Sequence, residues 1–137
     1  MIDVPVAAIP LANFQKLIGF QVVEWKLGGA VVILDIRDDL LNRGGTVHGG
    51  VLATLIDAAG GLAGNYTDGK QLPQPSITLT LITNFIQGVH TGRIRAVGTR
   101  RGGGARIFFS NVDVFDDSGA LIATGDGTFR ISNAPGS

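Results

Sequence analysis

Along residues 49–64 apolar positions recur with a helical period: Leu52, Leu55, Ile56, Ala59 and Ala63 share one stripe, as a helix burying one face requires. A second stripe carries Gly50, Ala53, Asp57, Gly60 or Gly61, and Gly64. The only charge of this helix therefore sits in a row of residues with almost no side chain. Each glycine inside a helix costs up to ~1 kcal/mol relative to alanine. The row thus implies a close approach on that face, by a partner backbone or a bound ligand.

Before this helix, Pro10 is tolerated in a first helical turn and Gly19 is a stop signal, so residues 10–18 predict a short leading helix. Residues 20–26 and 29–37 alternate apolar and polar positions around Leu27, Gly28 and Gly29, which predicts a hairpin. Residues 38–47 form a polar, glycine-bearing loop that delivers Asn42 and His48 to the helix. Residues 66–75, with Asp68, Gly69, Pro73 and Pro75, predict another loop. Beyond it, residues 76–87, 90–99, 105–115 and 120–131 are β-rich runs separated by Gly88, by RRGGG and by DDSG. Hairpin connections make consecutive strands antiparallel. Two strands, one long helix and four strands predict a single α+β domain, an antiparallel sheet with its long helix on one face. The tail from Ser132 reads as frayed.

Composition sharpens this picture. At 137 residues the chain suits one domain that buries most of its unfolded surface. Hydrophobic residues make up 45% and charged residues only 16%, more burial than a monomer of this size needs, which points to oligomerisation. Eleven acids balance eleven bases, so nucleic acid and anionic membrane are not expected partners. The lack of cysteine excludes disulfides, thiolate catalysis and the usual zinc clusters, and suits the cytoplasm. The two histidines, His48 and His90, share no ligand spacing with an acid, so no metal site is expected. The apolar opening of the chain starts with an acid and is broken by Pro5 and Pro10, which argues against a signal peptide. No run of ~20 uncharged apolar residues predicts a transmembrane helix.

The start of the long helix carries chemistry. Its first backbone N–H groups lack carbonyl partners and form the positive end of the dipole, and Gly49 and Gly50 leave them open to a substrate oxygen. An oxyanion site can be built from main chain in this way. Gly49 and Asp57 stand eight residues apart, about 12 Å along a helix axis, too far to act on one carbonyl carbon. Two copies of the helix, antiparallel across a two-fold axis, bring Gly49 of one near Asp57 of the other. A dimer with sites at its seam follows as an expectation.

Asn42, His48, Gly49 and Gly50, with Leu55 and Asp57 ending an L-x-D nine residues after the histidine, resemble the motif of hotdog-fold acyl-CoA thioesterases, in particular the PaaI-like branch. The resemblance extends through the element order over nearly the whole chain. It implies the hotdog fold, an antiparallel sheet wrapped around one long central helix. It implies that Asp57 acts as nucleophile or as general base on water, and that the Gly49 N–H polarises the thioester carbonyl. Asn42 would orient water or substrate, and His48 would support the turn and contact the carbonyl. A serine or threonine near the carboxylate is Thr78 by register, with Ser76 as the alternative. Basic side chains for the CoA phosphates would be Arg100, Arg101 and Arg106, with Lys70 a weaker candidate. The implied protein is a homo-oligomer, a dimer or a dimer of dimers, with the resemblance favouring the homotetramer, and it needs no cofactor beyond the CoA of its substrate.

Each residue also has a plainer reading. Asp57 could be a solvated helix carboxylate, His48 a helix cap, Asn42 a turn residue, Thr78 a strand former, and the arginines a solvated hairpin tip. Trp25, Tyr66 and His90 belong to packing or surface. The expected activity is hydrolysis of an aryl- or medium-chain acyl-CoA. Its rivals are a non-catalytic acyl-CoA binding protein and a hotdog hydratase or dehydratase, whose D-x-x-x-x-H arrangement is not found here in a supporting context.

Overall fold

The computed structural model of the protein describes residues 12–67 and 73–132. Of the positions singled out in the sequence, Pro10, the N-terminal opening, Lys70 and the tail after Ser132 lie outside the described residues.

A short helix α1 (Asn13–Ile18) leads into a hairpin of strands β1 (Gln21–Lys26) and β2 (Gly29–Asp35), turned at Gly28 in the left-handed region. After a 3-10 turn, Asp38–Leu40, comes the long helix α2 (Gly49–Gly64) and then β3 (Ser76–Phe85), β4 (Arg93–Gly103), β5 (Ile107–Phe115) and β6 (Leu121–Ile131). The strands form one six-stranded sheet in the order β1-β2-β4-β5-β6-β3. Every pairing is antiparallel. This is the hotdog arrangement.

Two expectations change. Consecutive strands do not all pair: β3 lies at the far edge beside β6, while β4 pairs with β2. Because α2 runs between β2 and β3, the chain crosses the sheet before laying down β3, and β4 must cross back. The expected strand 90–99 is also displaced. It begins at Arg93 and continues through the arginines to Gly103, where Gly102 and Gly103 pair with Phe109 and Phe108. The glycine run extends the hairpin instead of ending the strand.

Val51, Leu52, Leu55, Ile56 and Ala59 of α2 are buried against Val32, Leu34, Ile94, Ala96, Val112 and Val114 of the sheet. The helix lies so close that a Cβ on Gly98 would run into the Ala59 carbonyl. The small-residue row of α2 is largely used up in the same way. Gly60 and Gly61 face the ring of Phe129, and Gly64 faces Phe108, the two rings being stacked with centroids 5.1 Å apart. What approaches these glycines is the chain's own sheet and not a partner backbone. Gly50, Ala53 and Asp57 alone of that row stay off the core.

Candidate active site

The approach to α2 is pinned by main-chain bonds. Val47 N–H donates to Val89 O at 2.8 Å and His48 N–H to Leu40 O at 2.9 Å, so His48 arrives at the helix in an extended conformation. There it caps the helix: its Nδ1 accepts from the Gly50 N–H at 2.9 Å. A neutral imidazole that accepts at Nδ1 carries its proton on Nε2. The cap and the carbonyl-contact roles expected for His48 thus fall on different nitrogens.

This cap separates two glycines that looked equivalent in sequence. The Gly50 N–H is occupied by His48, whereas the Gly49 N–H has no acceptor among the described residues. Gly50 is therefore not an open donor for substrate. Its lack of a side chain serves the cap, since a Cβ there would lie 3.0 Å from His48 Nδ1. Gly49 remains as a free N–H at the positive helix end. A Cβ on Gly49 would stand 3.3 Å from the ring of Phe85.

Two turns further along α2, Asp57 is half-buried and its Oδ1 accepts from the Thr78 hydroxyl at 2.5 Å. The residue in contact with the carboxylate is thus Thr78 and not Ser76. Thr78 faces the helix because it pairs with Phe129, whose side chain points inward.

Asn42 organises its own loop. Its Oδ1 accepts from the N–H groups of Gly44 at 2.9 Å and Thr46 at 3.1 Å, and its Nδ2 donates to Thr46 Oγ1 at 3.1 Å. With the carbonyl oxygen engaged twice, what Asn42 still offers is one amide proton. It borders a cleft of about 310 Å³ that also includes Thr46, Gly49, Leu52, Phe85 and Gln87. Phe85 is the site residue the sequence did not single out. It faces inward because an extra residue is inserted between Thr78 and Thr80, which moves the inward positions from Thr78 to Leu81, Thr83 and Phe85.

The three arginines lie elsewhere. Phe108, under the C-terminal end of α2 at Gly64, carries Arg100 over its ring at 5.7 Å. Arg100 also donates to Gly104 O at 3.2 Å, and its Nε is buried without a partner. Arg101 and Arg106 are exposed beside it. That end of the helix is about 22 Å from Gly49 of the same chain at 1.5 Å per residue. Within one chain, then, the N–H donor, the carboxylate and the arginines occupy three successive stations along α2.

Among the described residues no group of three or more His, Asp or Glu side chains could hold a metal ion, and no helix is long and apolar enough to cross a membrane.

The thioesterase superfamily profile matches residues 44–123. A protein of Pseudomonas aeruginosa that carries the provisional name of an esterase is 33% identical over 102 residues, 74% of each chain. Among solved structures, the conserved protein PA5202 of Pseudomonas aeruginosa superposes with a TM-score of 0.79 at 32% identity, covering 88% of this chain and 94% of its own. A point mutant of the phenylacetic acid degradation protein PaaI from Thermus thermophilus superposes with a TM-score of 0.76 at 31% identity, covering 87% and 98%. The chain belongs to the thioesterase superfamily, in its PaaI-like branch, and is a thioester hydrolase of the hotdog fold.

Proposed function

We propose that the protein hydrolyses the thioester of an aryl- or medium-chain acyl-CoA at sites assembled from two copies of the chain. One copy supplies the Gly49 N–H to the thioester oxygen, and the other supplies Asp57. The observation that carries this reading is the pairing of a free helix-end N–H with a carboxylate held by Thr78, eight residues apart on one helix and so about 12 Å apart along its axis.

The sheet supports the two-copy arrangement. β3 is an edge strand whose outer side has no partner among the described residues, and it exposes Ile77, Leu79 and Ile82 at 50%, 48% and 55%. An open apolar edge is a site for pairing with another strand. Thr78 marks the Asp57 end of this strand and Phe85 marks the Gly49 end. A two-fold axis perpendicular to the sheet and passing at Leu81, the middle of the stretch, exchanges the two ends. Pairing β3 with its own copy about that axis brings each Asp57 toward the other chain's Gly49. Such a dimer, or a dimer of dimers, suits an apolar chain of this size.

In this reading the Gly49 N–H stabilises charge developing on the carbonyl oxygen, a donor typically worth ~10² to 10³ in rate. Asp57 either attacks the carbonyl carbon, expelling CoA and forming a mixed anhydride that water then hydrolyses, or takes a proton from a water that attacks the carbonyl carbon. The C–S bond breaks as the tetrahedral adduct collapses, the proton that water gives up balances the departing thiolate, and the products are the free acid and CoA thiol. The Thr78 bond holds one carboxylate oxygen, so the other faces the reaction. His48 fixes the turn, its Nε2–H is available beside the carbonyl, and Asn42 keeps the loop in place with one amide proton for water or substrate. Arg100, Arg101 and Arg106 are the candidates for the CoA phosphates, with Arg100 held in place by Phe108 and Gly104. The chemistry asks for no metal or redox cofactor, and we place the cysteine-free chain in the cytoplasm.

The test is complementation between inactive subunits. Asp57→Ala and Gly49→Pro each disable one half of every site, and proline at the first helical position removes the N–H without breaking the helix. Mixed dimers regain one intact site of two, so a random mixture should recover about a quarter of native thiol release. Recovery of nothing from two folded, mixing variants would reject the shared site.

A further inference from the structure

We propose that Phe85 sets the size of the acyl group that the site accepts, a conclusion that rests on the thioesterase reading above. Three atoms at the far end of its ring lie 3.3, 3.5 and 3.7 Å from the point where a side chain on Gly49 would begin. The ring and the Gly49 N–H therefore border the same space. A carbonyl oxygen held by that N–H puts the first carbons of its acyl chain against the ring edge.

The cleft they share is about 310 Å³, with Val47, Leu52 and Ile86 as its remaining apolar walls. Sites for small molecules run from ~300 to 1,000 Å³, and what one chain contributes here is enough for a compact acyl group. Its walls differ in what they can give. Val47 and Leu52 are only 5% and 4% exposed and carry the core. Phe85 is 56% exposed, so its ring can be trimmed without emptying the core. The glycine at 49 gains a second reason from this arrangement: it leaves room for the ring as well as access to the N–H.

Selection by such a wall is a matter of fit, and a methylene too many or too few in an apolar pocket changes discrimination by about 10- to 200-fold. The experiment compares the native protein with Phe85→Leu and Phe85→Ala on straight-chain esters from acetyl-CoA to hexadecanoyl-CoA, with benzoyl-CoA and phenylacetyl-CoA alongside. Thiol release gives kcat and KM, and calorimetric titration gives Kd for the same esters. The ratio of kcat/KM for dodecanoyl-CoA to that for butyryl-CoA should rise about tenfold or more in Phe85→Ala. Phe85→Leu should lie between, with the change residing in KM and matched by Kd. Ratios that stay put in both series, or a fall shared equally by all chain lengths, overturn the role of Phe85. If no ester yields thiol while the Kd series still shifts, size selection stands and the hydrolytic reading falls.

Discussion

The Thr78 hydroxyl donates to Asp57 Oδ1 at 2.5 Å, joining the edge strand β3 to the middle of α2. A single carboxylate on a glycine-rich helix face is thereby oriented by a neighbouring element. Thr78→Val removes the donor at nearly constant shape. Thiol release should fall about 10- to 100-fold in kcat through misplacement of the carboxylate, with KM little changed, while Thr78→Ser retains most of the rate. A Thr78→Val protein with native kcat would show that the bond is incidental to turnover.

Asp57→Asn keeps an acceptor for Thr78 but removes the anion. Turnover should drop by about 10² to 10⁴, the range for loss of a positioned acid or base, with the thermal transition close to native. In the native protein, label from water entering the Asp57 carboxylate in a single turnover, or an acyl-enzyme trapped on it, marks a nucleophile, and label confined to the free acid with no acyl-enzyme trapped marks a general base.

Gly49→Pro deletes one N–H at the first position of α2, where proline is well tolerated. His48, with φ −59° and ψ 135°, already has the extended conformation that a following proline requires. The expected loss is ~10² to 10³ in kcat, with helix content unchanged by circular dichroism. Full activity would exclude this N–H as the oxyanion donor.

Gly64→Ala places a methyl group into the ring of Phe108. Overpacking of this kind destabilises by about 1 to 3 kcal/mol, and denaturant midpoints should fall accordingly. Gly102→Ala, on the β4–β5 hairpin that carries Phe108, is the control, because nothing lies within 4 Å of its added Cβ.

Asp116 closes the β5–β6 turn by accepting from Ser118 N–H at 2.9 Å, Ser118 Oγ at 2.6 Å and Ala120 N–H at 3.0 Å. The Ser118 hydroxyl, aided by these backbone donors, holds its carboxyl below the usual carboxylate range. A carboxyl whose folded pKa is depressed adds stability above its unfolded pKa, and that contribution is lost as pH falls through the folded value. An NMR titration should show Asp116 protonating at lower pH in the native protein than in Ser118→Ala. Identical midpoints would remove the hydroxyl from this role.

Much of the architecture was legible from local patterning. The apolar stripe from Leu52 to Ala63, the four β-rich runs, and the order of two strands, a helix and four strands all lie in short-range periodicity. The motif from Asn42 to Asp57 was equally legible, because a glycine turn and a helix fix relative positions within a few residues. That Gly49 and Asp57 cannot meet in one chain also follows from the rise of a helix alone.

Other features depended on contacts that only the folded chain makes, one of them two residues apart and the rest far apart in sequence. His48 had to fold back as a cap before the Gly50 N–H could be told from that of Gly49. The helix had to settle on the sheet before Phe129 and Phe108 could claim Gly60, Gly61 and Gly64. The extra residue between Thr78 and Thr80 reverses the alternation along β3 only once β6 is paired beside it, which is what turns Phe85 toward Gly49. Sequence thus determined which elements form and which chemical groups they carry, since periodicity and turn chemistry are local. Tertiary structure decided which of those groups remain free, since a hydrogen bond or an empty space is known only when both of its sides are in place.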